Sequence, residues 1–96
     1  MATISKLKLS PEQVAAIARA VAEPRRFAIL QQIAGQDTLP CSALPERHCI
    51  SPATLSHHMK ELQEAGLVSS EREGRGIKLT LRRDVWEAYL RELAAL

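Results

Sequence analysis

The stretch SPATLSHHMKELQEAGLV, from Ser51 to Val68, describes one complete helix with its start and its stop. Ser51 is predicted to cap the helix, because its hydroxyl can accept a backbone N–H that would otherwise lack a partner. Pro52 suits the first helical position, where no backbone donor is needed. Gly66 ends the run, since glycine readily adopts the left-handed conformation that follows a last helical turn. The segment between Pro52 and Ala65 is therefore predicted to be helical.

The two faces of this helix differ in chemistry. Leu55, Met59 and Leu62 recur at helical spacing, which predicts a buried stripe. The other face carries small or polar side chains, which let a helix backbone approach base edges closely, while Lys60 would reach a phosphate or a guanine. We therefore predict a DNA-recognition helix. Its candidate contact residues are Ser51, Pro52, Ala53, Thr54, Ser56, His57 and Lys60.

Two helices are predicted upstream of this one. Ser10, Pro11 and Gln13 form an N-cap, a first-position proline and a capping-box partner. The first helix then has an apolar stripe at Val14, Ile17, Ala18 and Val21. Pro24 is expected to end it and to begin the second helix, which should stop at Gly35. The core-facing positions predicted for the second helix are Phe27, Leu30 and Ile33, with Ile29 at an adjoining angle.

A short third helix is predicted from Cys41 or Ser42 to Arg47, after an edge strand at Leu39 that Pro40 limits. After Gly66 the apolar period changes from helical to alternating. Two strands, 67–72 and 77–81, are predicted to form a hairpin through a turn that contains Gly74 and Gly76.

Charge is concentrated in this hairpin segment, although the whole chain has a net charge of only +2. Between Gly66 and Arg83, five basic residues stand against two acidic ones, and from Asp84 onward the balance is acidic. A basic segment directly after a recognition helix favours contact with phosphates; an ordinary solvated surface is the alternative. Arg72, Arg75 and Lys78 complete the candidate DNA contacts, and DNA binding predicts that they share one surface with Lys60.

A last helix is predicted to begin near Asp84, and its apolar face is broad for a domain of 96 residues. Such a face suggests a partner subunit. The candidate interface residues on this helix are Trp86, Tyr89, Leu90 and Leu93.

Length and composition fit one small domain with 46% apolar residues, comprising residues 10–96 after an N-terminal arm at residues 1–9. The arm has no apolar run of signal-peptide length, and no membrane-spanning run is present. Cys41 and Cys49 are too few for a secreted disulfide framework, which favours the cytoplasm. No catalytic or cofactor-binding motif appears, so an enzyme is not expected.

The sequence resembles the ArsR family of bacterial repressors in three segments, which occur in the order 21–30, 51–59 and 62–68. A glycine-containing hairpin follows them, as in that family. The predicted elements, mainly α with a small β-hairpin, follow the order α-α-α-α-β-β-α. With this order, the resemblance implies a dimeric winged helix-turn-helix fold. It also implies a homodimer joined by the first and last helices, which adds Val14 and Ile17 to the candidate interface. Each subunit would insert the Ser51 helix into the major groove of double-stranded DNA at a pseudo-palindromic operator. The second hypothesis is a winged helix that binds a partner protein, with no sequence-specific DNA binding.

Metal and thiol-modifying signals often release such repressors from DNA, but the family's metal ligands do not match here. Cys41 lacks the second cysteine of a Cys-X-Cys pair, and the last helix contains no histidine. The group of Cys41, His48, Cys49 and His57 or His58 also lacks zinc-binding spacing, so no metal site is predicted. Cys41 and Cys49 are candidate redox residues, with two inert thiols as the alternative. The sequence identifies no inducer.

The adjacent histidines have different predicted roles. His57 falls on the small polar face, where its ring can bond to a base edge or a phosphate. His58 neighbours the buried Met59, and the family resemblance implies that it holds the recognition helix against the rest of the domain.

Overall fold

The computed structural model describes residues 7–45 and 50–96 of the chain. The helices in these ranges are α1 (Pro11–Ala22), α2 (Pro24–Ala34), α3 (Pro52–Glu64) and α4 (Arg83–Ala94). The strands are β1 (Leu39–Pro40), β2 (Val68–Glu73) and β3 (Gly76–Leu81). The predicted third helix begins as a 3-10 turn, Cys41–Ala43, and its predicted end at Arg47 lies outside the described residues.

The helix starts confirm the predicted caps. Ser10 Oγ accepts a bond from the Gln13 backbone N at 3.1 Å, and Gln13 Oε1 accepts one from the Ser10 backbone N at 2.7 Å. Ser51 Oγ accepts from the Thr54 backbone N at 3.2 Å, with Pro52 as the first helical residue. Each bond satisfies a backbone donor that the first turn leaves without an intrahelical partner.

Gly66 turns the chain out of α3, with a φ of +80° that a side chain would disfavour. The sheet that follows is antiparallel in the order β1-β3-β2. Leu39 pairs with Leu79, as the predicted edge strand requires, and Val68 pairs with Leu81. Gly74 and Arg75 form the loop between β2 and β3, with Gly74 at a φ of +60°.

The core lies where α1, α2 and α3 meet one face of the sheet. Its large, fully buried side chains are Ile17, Ile29, Ile33, Leu39, Leu44, Leu62, Leu67 and Leu79. Leu9, which precedes the Ser10 cap, is also buried in this core.

Two predicted core positions are wrong. α2 buries residues 26, 29, 30 and 33, so its apolar stripe is rotated from the predicted one and Phe27 is 36% exposed. Arg26 takes the inward position in the first turn of α2. In α1 the buried alanine is Ala20, while Ala18 faces outward.

The arrangement is a winged helix-turn-helix, in which α3 is the recognition helix and the β2–β3 hairpin is the wing. Within residues 7–45 and 50–96, no helix combines the length and apolar character needed to cross a membrane.

Candidate nucleic-acid interface

The exposed face of α3 carries the residues predicted to meet DNA. Ala53, Ser56, His57 and Lys60 are exposed, together with Pro52 at the helix start. The opposite face is buried as predicted, through Leu55, Met59 and Leu62. This face presents few long side chains besides Lys60, which is the condition for close approach to base edges.

The hydroxyls of Ser51 and Thr54 are engaged with each other at the start of α3. Ser51 Oγ lies 2.9 Å from Thr54 Oγ1, in addition to the bond that it accepts from the Thr54 backbone. Thr54 is half-buried. Beyond this cap, Ser56, His57 and Lys60 present exposed polar side chains in the first half of α3.

The two histidines occupy opposite environments. His57 is exposed, whereas His58 is 6% exposed and lies among α1, α2 and α3. Arg26 Nη1 lies 3.3 Å from His58 Nδ1, and His58 Nε2 lies 3.7 Å from Glu23 Oε2. Burial lowers the pKa of His58 below its ordinary value. The expected role of His58 in holding α3 is consistent with these contacts.

The wing has one face toward α3 and one away from it. Cross-strand partners share a face, so the pairs Ser70–Leu79 and Arg72–Ile77 lie on one side of the hairpin. Part of this side and α3 enclose a cleft of about 270 Å³. Its lining comprises Cys41, Leu55, Ser56, Met59, Lys60, Gln63, Ser70, Ile77 and Leu79. Arg75 lies in the exposed loop at the end of the hairpin.

Lys78 does not share the face of Arg72, contrary to the prediction. It pairs across the strands with Glu71, on the side of the hairpin away from α3. Its Nζ also forms an ion pair with Glu73 Oε2 at 3.1 Å, and this hydrogen bond raises the pKa of Lys78. The alternation of strand side chains explains the error, since positions 77 and 78 face opposite sides.

Other basic residues of this segment are also partnered. Arg82 contacts both carboxylate oxygens of Asp84, at 3.3 and 3.1 Å, which lowers the pKa of that carboxyl. Arg83 Nη2 donates to the Ala34 carbonyl at 2.9 Å. Arg72 and Arg75 form no ion pair with any of the described residues, so the unpaired positive charge of the wing is concentrated on these two.

The predicted dimer residues divide between core and surface. Leu90 and Leu93 are 43% and 45% exposed, and Val14 and Trp86 are half-buried. Tyr89 is mostly buried, with its ring centroid 5.7 Å from that of Trp86. Ile17 has no exposed surface and belongs to the core of the chain, because it lies on the inward side of α1. It is therefore removed from the candidate interface.

The candidate thiols are only partly described. Cys41 is half-buried and lines the cleft between α3 and the wing, while Cys49 lies outside the described residues. Among residues 7–45 and 50–96, no three His, Cys, Asp or Glu side chains are grouped closely enough to hold a metal ion. His48, another member of the weighed zinc group, also lies outside these ranges.

The sequence interpretation missed Arg26 and Glu23 as site residues. The sequence contains one indication of the role of Glu23. This residue precedes a proline at a helix start, where its side chain can act as an N-cap. Its Oε2 accepts a bond from the Arg26 backbone N at 2.8 Å. The partner of Arg26 is 32 residues away in sequence, so local patterns do not reveal the contact.

Comparison with known proteins agrees with this geometry. Residues 21–71, more than half of the chain, match the model of a helix-turn-helix domain family. An uncharacterized HTH-type transcriptional regulator of Bacillus subtilis (strain 168), YceK, is 33% identical over 87 residues, which are 88% of this chain and 86% of the relative. An ArsR-like transcriptional regulator from Rhodococcus sp. RHA1 has 25% identity and a TM-score of 0.79, over 88% of this chain and 78% of that one.

The chain belongs to the ArsR family of winged helix-turn-helix transcriptional regulators. A winged helix-turn-helix DNA-binding domain from Mycobacterium bovis, described as a possible ArsR-family transcriptional regulator, has 26% identity and a TM-score of 0.72. That alignment covers 93% of this chain and 89% of the relative, which is described as homodimeric. These relatives are transcriptional regulators with a DNA-binding fold, not enzymes.

Proposed function

We propose that this ArsR-family regulator binds a specific double-stranded DNA site as a homodimer and represses the adjoining gene in the bacterial cytoplasm. The observation that carries the proposal is the face of α3 formed by Ser56, His57 and Lys60, flanked by the wing with its unpaired Arg72 and Arg75. Bases would be read from α3 in the major groove, while the two arginines would contact phosphates.

The direct test is binding of the purified protein to DNA from immediately upstream of its own gene, because such regulators often control their own promoter. We expect binding that exceeds binding to random DNA of equal length and that weakens steeply as salt increases. Equal, weak binding to both DNAs at low salt would contradict the proposal. It would favour a winged helix that binds a partner protein.

Dimerisation is supported by the exposed leucines of α4 and by the relative that is described as homodimeric. Two-fold symmetry would place two copies of α3 about 34 Å apart on a pseudo-palindromic site. Leu90→Arg would introduce a charge into an apolar interface, so we expect a monomer with weak DNA binding. Gln36→Arg, at an exposed site after α2 and outside the apolar face of α4, is the matched control. A monomeric wild type in sedimentation at about 10 micromolar would contradict this step.

A thiol switch is the proposed mode of regulation. The half-buried Cys41 lines the same cleft as Leu55 and Met59 on α3, so oxidation of its sulfur would add a polar group beside the recognition helix. We expect peroxide or diamide to weaken DNA binding of the wild type, while a Cys41→Ser, Cys49→Ser variant stays bound. Unchanged wild-type affinity under both oxidants would assign the cysteines to packing.

A further inference from the structure

Arg26 lies at the junction of α1, α2 and α3, and each of its guanidinium nitrogens has a contact. Its Nε donates to the Ala20 carbonyl at 2.7 Å, and its Nη2 donates to the Arg19 carbonyl at 3.3 Å. Both carbonyls belong to the last turn of α1, where no intrahelical donor is available. Its Nη1 reaches His58 Nδ1 on α3. One buried cation therefore joins the end of α1 to the recognition helix.

We propose that Arg26 is a positioning residue for DNA recognition, which holds α3 in its reading orientation through His58 and does so only while the His58 ring is unprotonated. The proposal rests on the proposed DNA-binding function. It extends that function to two residues, Arg26 and Glu23, that lie away from the DNA-contacting face.

Hydrogen-bond chemistry sets the charge state that this contact requires. A guanidinium can only donate, so Nδ1 of His58 must act as an acceptor and its proton must be on Nε2. That Nε2 faces Glu23, but at 3.7 Å it has no hydrogen-bond partner among the described residues. A second proton, on Nδ1, would place an N–H against the Arg26 donor. The bond would be lost, and two positive groups would lie side by side.

The charged surroundings of His58 are mixed. Glu23 favours the protonated ring, while Arg26, Arg25 and the neighbouring His57 disfavour it. Burial opposes protonation most strongly, so the pKa of His58 is lowered from its ordinary value of 6.5. Glu23 remains charged at the pH values at which His58 takes up a proton. The hydrogen bond from the Arg26 backbone N–H lowers the pKa of the Glu23 carboxyl below 4.5. The neutral ring is thus the ground state near pH 7.

The direction of the pH effect follows from this shift. As the pH falls below 6.5, the unfolded chain takes up a proton at His58 more readily than the folded chain does, so folding stability decreases. The stabilisation is complete above the unfolded pKa and is lost in the interval down to the folded pKa. Within the folded state, protonation breaks the Arg26 contact, so DNA affinity is expected to fall as the pH decreases through the lowered folded-state pKa of His58.

His57 is a second histidine, exposed on the same helix as His58. The test therefore uses a His57→Gln background in every protein, so that His58 is the histidine that remains on α3. Affinity for the upstream DNA is measured by fluorescence anisotropy from about pH 7.5 to about pH 5, a range that extends below the ordinary pKa of histidine because the His58 pKa is lowered. In this background we expect affinity to fall about tenfold toward low pH, within the usual range of coupling between sites.

Three variants separate positioning from general folding. His58→Asn keeps an acceptor near Nδ1 but cannot titrate, so it should bind well at the upper pH and lose the pH dependence. Arg26→Gln should weaken binding about tenfold at every pH, whereas Arg25→Gln, on an exposed neighbour, should not. An unchanged pH profile in His58→Asn, or equal affinity of the Arg26 and Arg25 variants, would overturn the proposal.

A DNA-independent measurement distinguishes failure of this proposal from failure of DNA binding itself. Nitrogen-15 NMR of the free protein should show the neutral His58 ring protonated at Nε2, and amide shifts along α3 should move with the titration of this ring. If the wild type binds no DNA yet shows both signatures, the proposed function fails while the Arg26–His58 contact stands. A proton on Nδ1 of the neutral ring would contradict the contact whatever the DNA result.

Discussion

The recognition helix α3 and the wing are held to the domain in different ways. α3 has a continuous buried face, with Leu62 fully enclosed, and a polar contact from Arg26 on the same side. The wing is anchored near its base through Val68 and Leu81, while both strands are exposed toward the Gly74–Arg75 loop. A helix that reads base edges needs a fixed orientation, whereas a charge that contacts phosphates tolerates movement.

The basic residues in and near the wing also fall into two groups, those with an acidic partner and those without one. Lys78 and Arg82 each have an acidic partner, whereas Arg72 and Arg75 have no ion pair with any described residue. Arg83 donates to a neutral backbone carbonyl, which leaves its charge uncompensated. The unpaired ones can release counterions from DNA, which is the main source of affinity that does not depend on sequence. A count of basic residues therefore overstates the charge that DNA would meet.

The largest expected difference between the two regions concerns folding stability. Leu62→Ala removes a fully buried side chain beneath α3 and should cost about 2–5 kcal/mol of unfolding free energy. Ile77→Ala, at a position in the wing that is 45% exposed, should cost less than about 1 kcal/mol. Urea denaturation followed by circular dichroism measures both. Similar losses for the two variants would mean that the wing is packed as firmly as α3.

Much of α3 could be predicted from sequence, because its determinants are local. Ser51, Pro52 and Gly66 act within one turn of their own positions, and the spacing of Leu55, Met59 and Leu62 defines the buried face. The resemblance to the ArsR family supplied the arrangement of the elements, which the comparisons confirm.

The rest depends on contacts between distant segments. Arg26 is buried because carbonyls of α1 and the ring of His58 satisfy its donors, and no local pattern in α2 signals this. Phe27 was assigned to the core for the same reason, since apolar character alone does not determine the rotation of a helix about its axis. The face that Lys78 occupies can be predicted from the alternation of side chains along a strand. Its ion pair with Glu73 cannot, because the two residues lie on different strands and meet across the hairpin turn.

A second comparison concerns how the two regions bind DNA. His57→Ala should cost about 1–3 kcal/mol on the cognate site and much less on random DNA, because a base contact is lost. Arg75→Ala should weaken binding to both DNAs and lower the slope of log affinity against log salt by about one. Anisotropy titrations at several salt concentrations measure both effects. An equal loss on the two DNAs for His57→Ala would assign that ring an electrostatic or structural role.

The smallest expected effect separates the two sides of the wing. Arg72→Gln removes an unpaired charge on the side shared with Ile77 and should lower the salt slope by a fraction of one unit. Lys78→Gln removes a charge that already has Glu73 as its partner, on the side away from α3, and should change DNA affinity by less than about twofold. The two substitutions remove the same formal charge, so net charge cannot account for a difference between them. If Lys78→Gln weakens binding as much as Arg72→Gln, then DNA contacts the wing on both sides, and Lys78 belongs to the DNA-contacting surface.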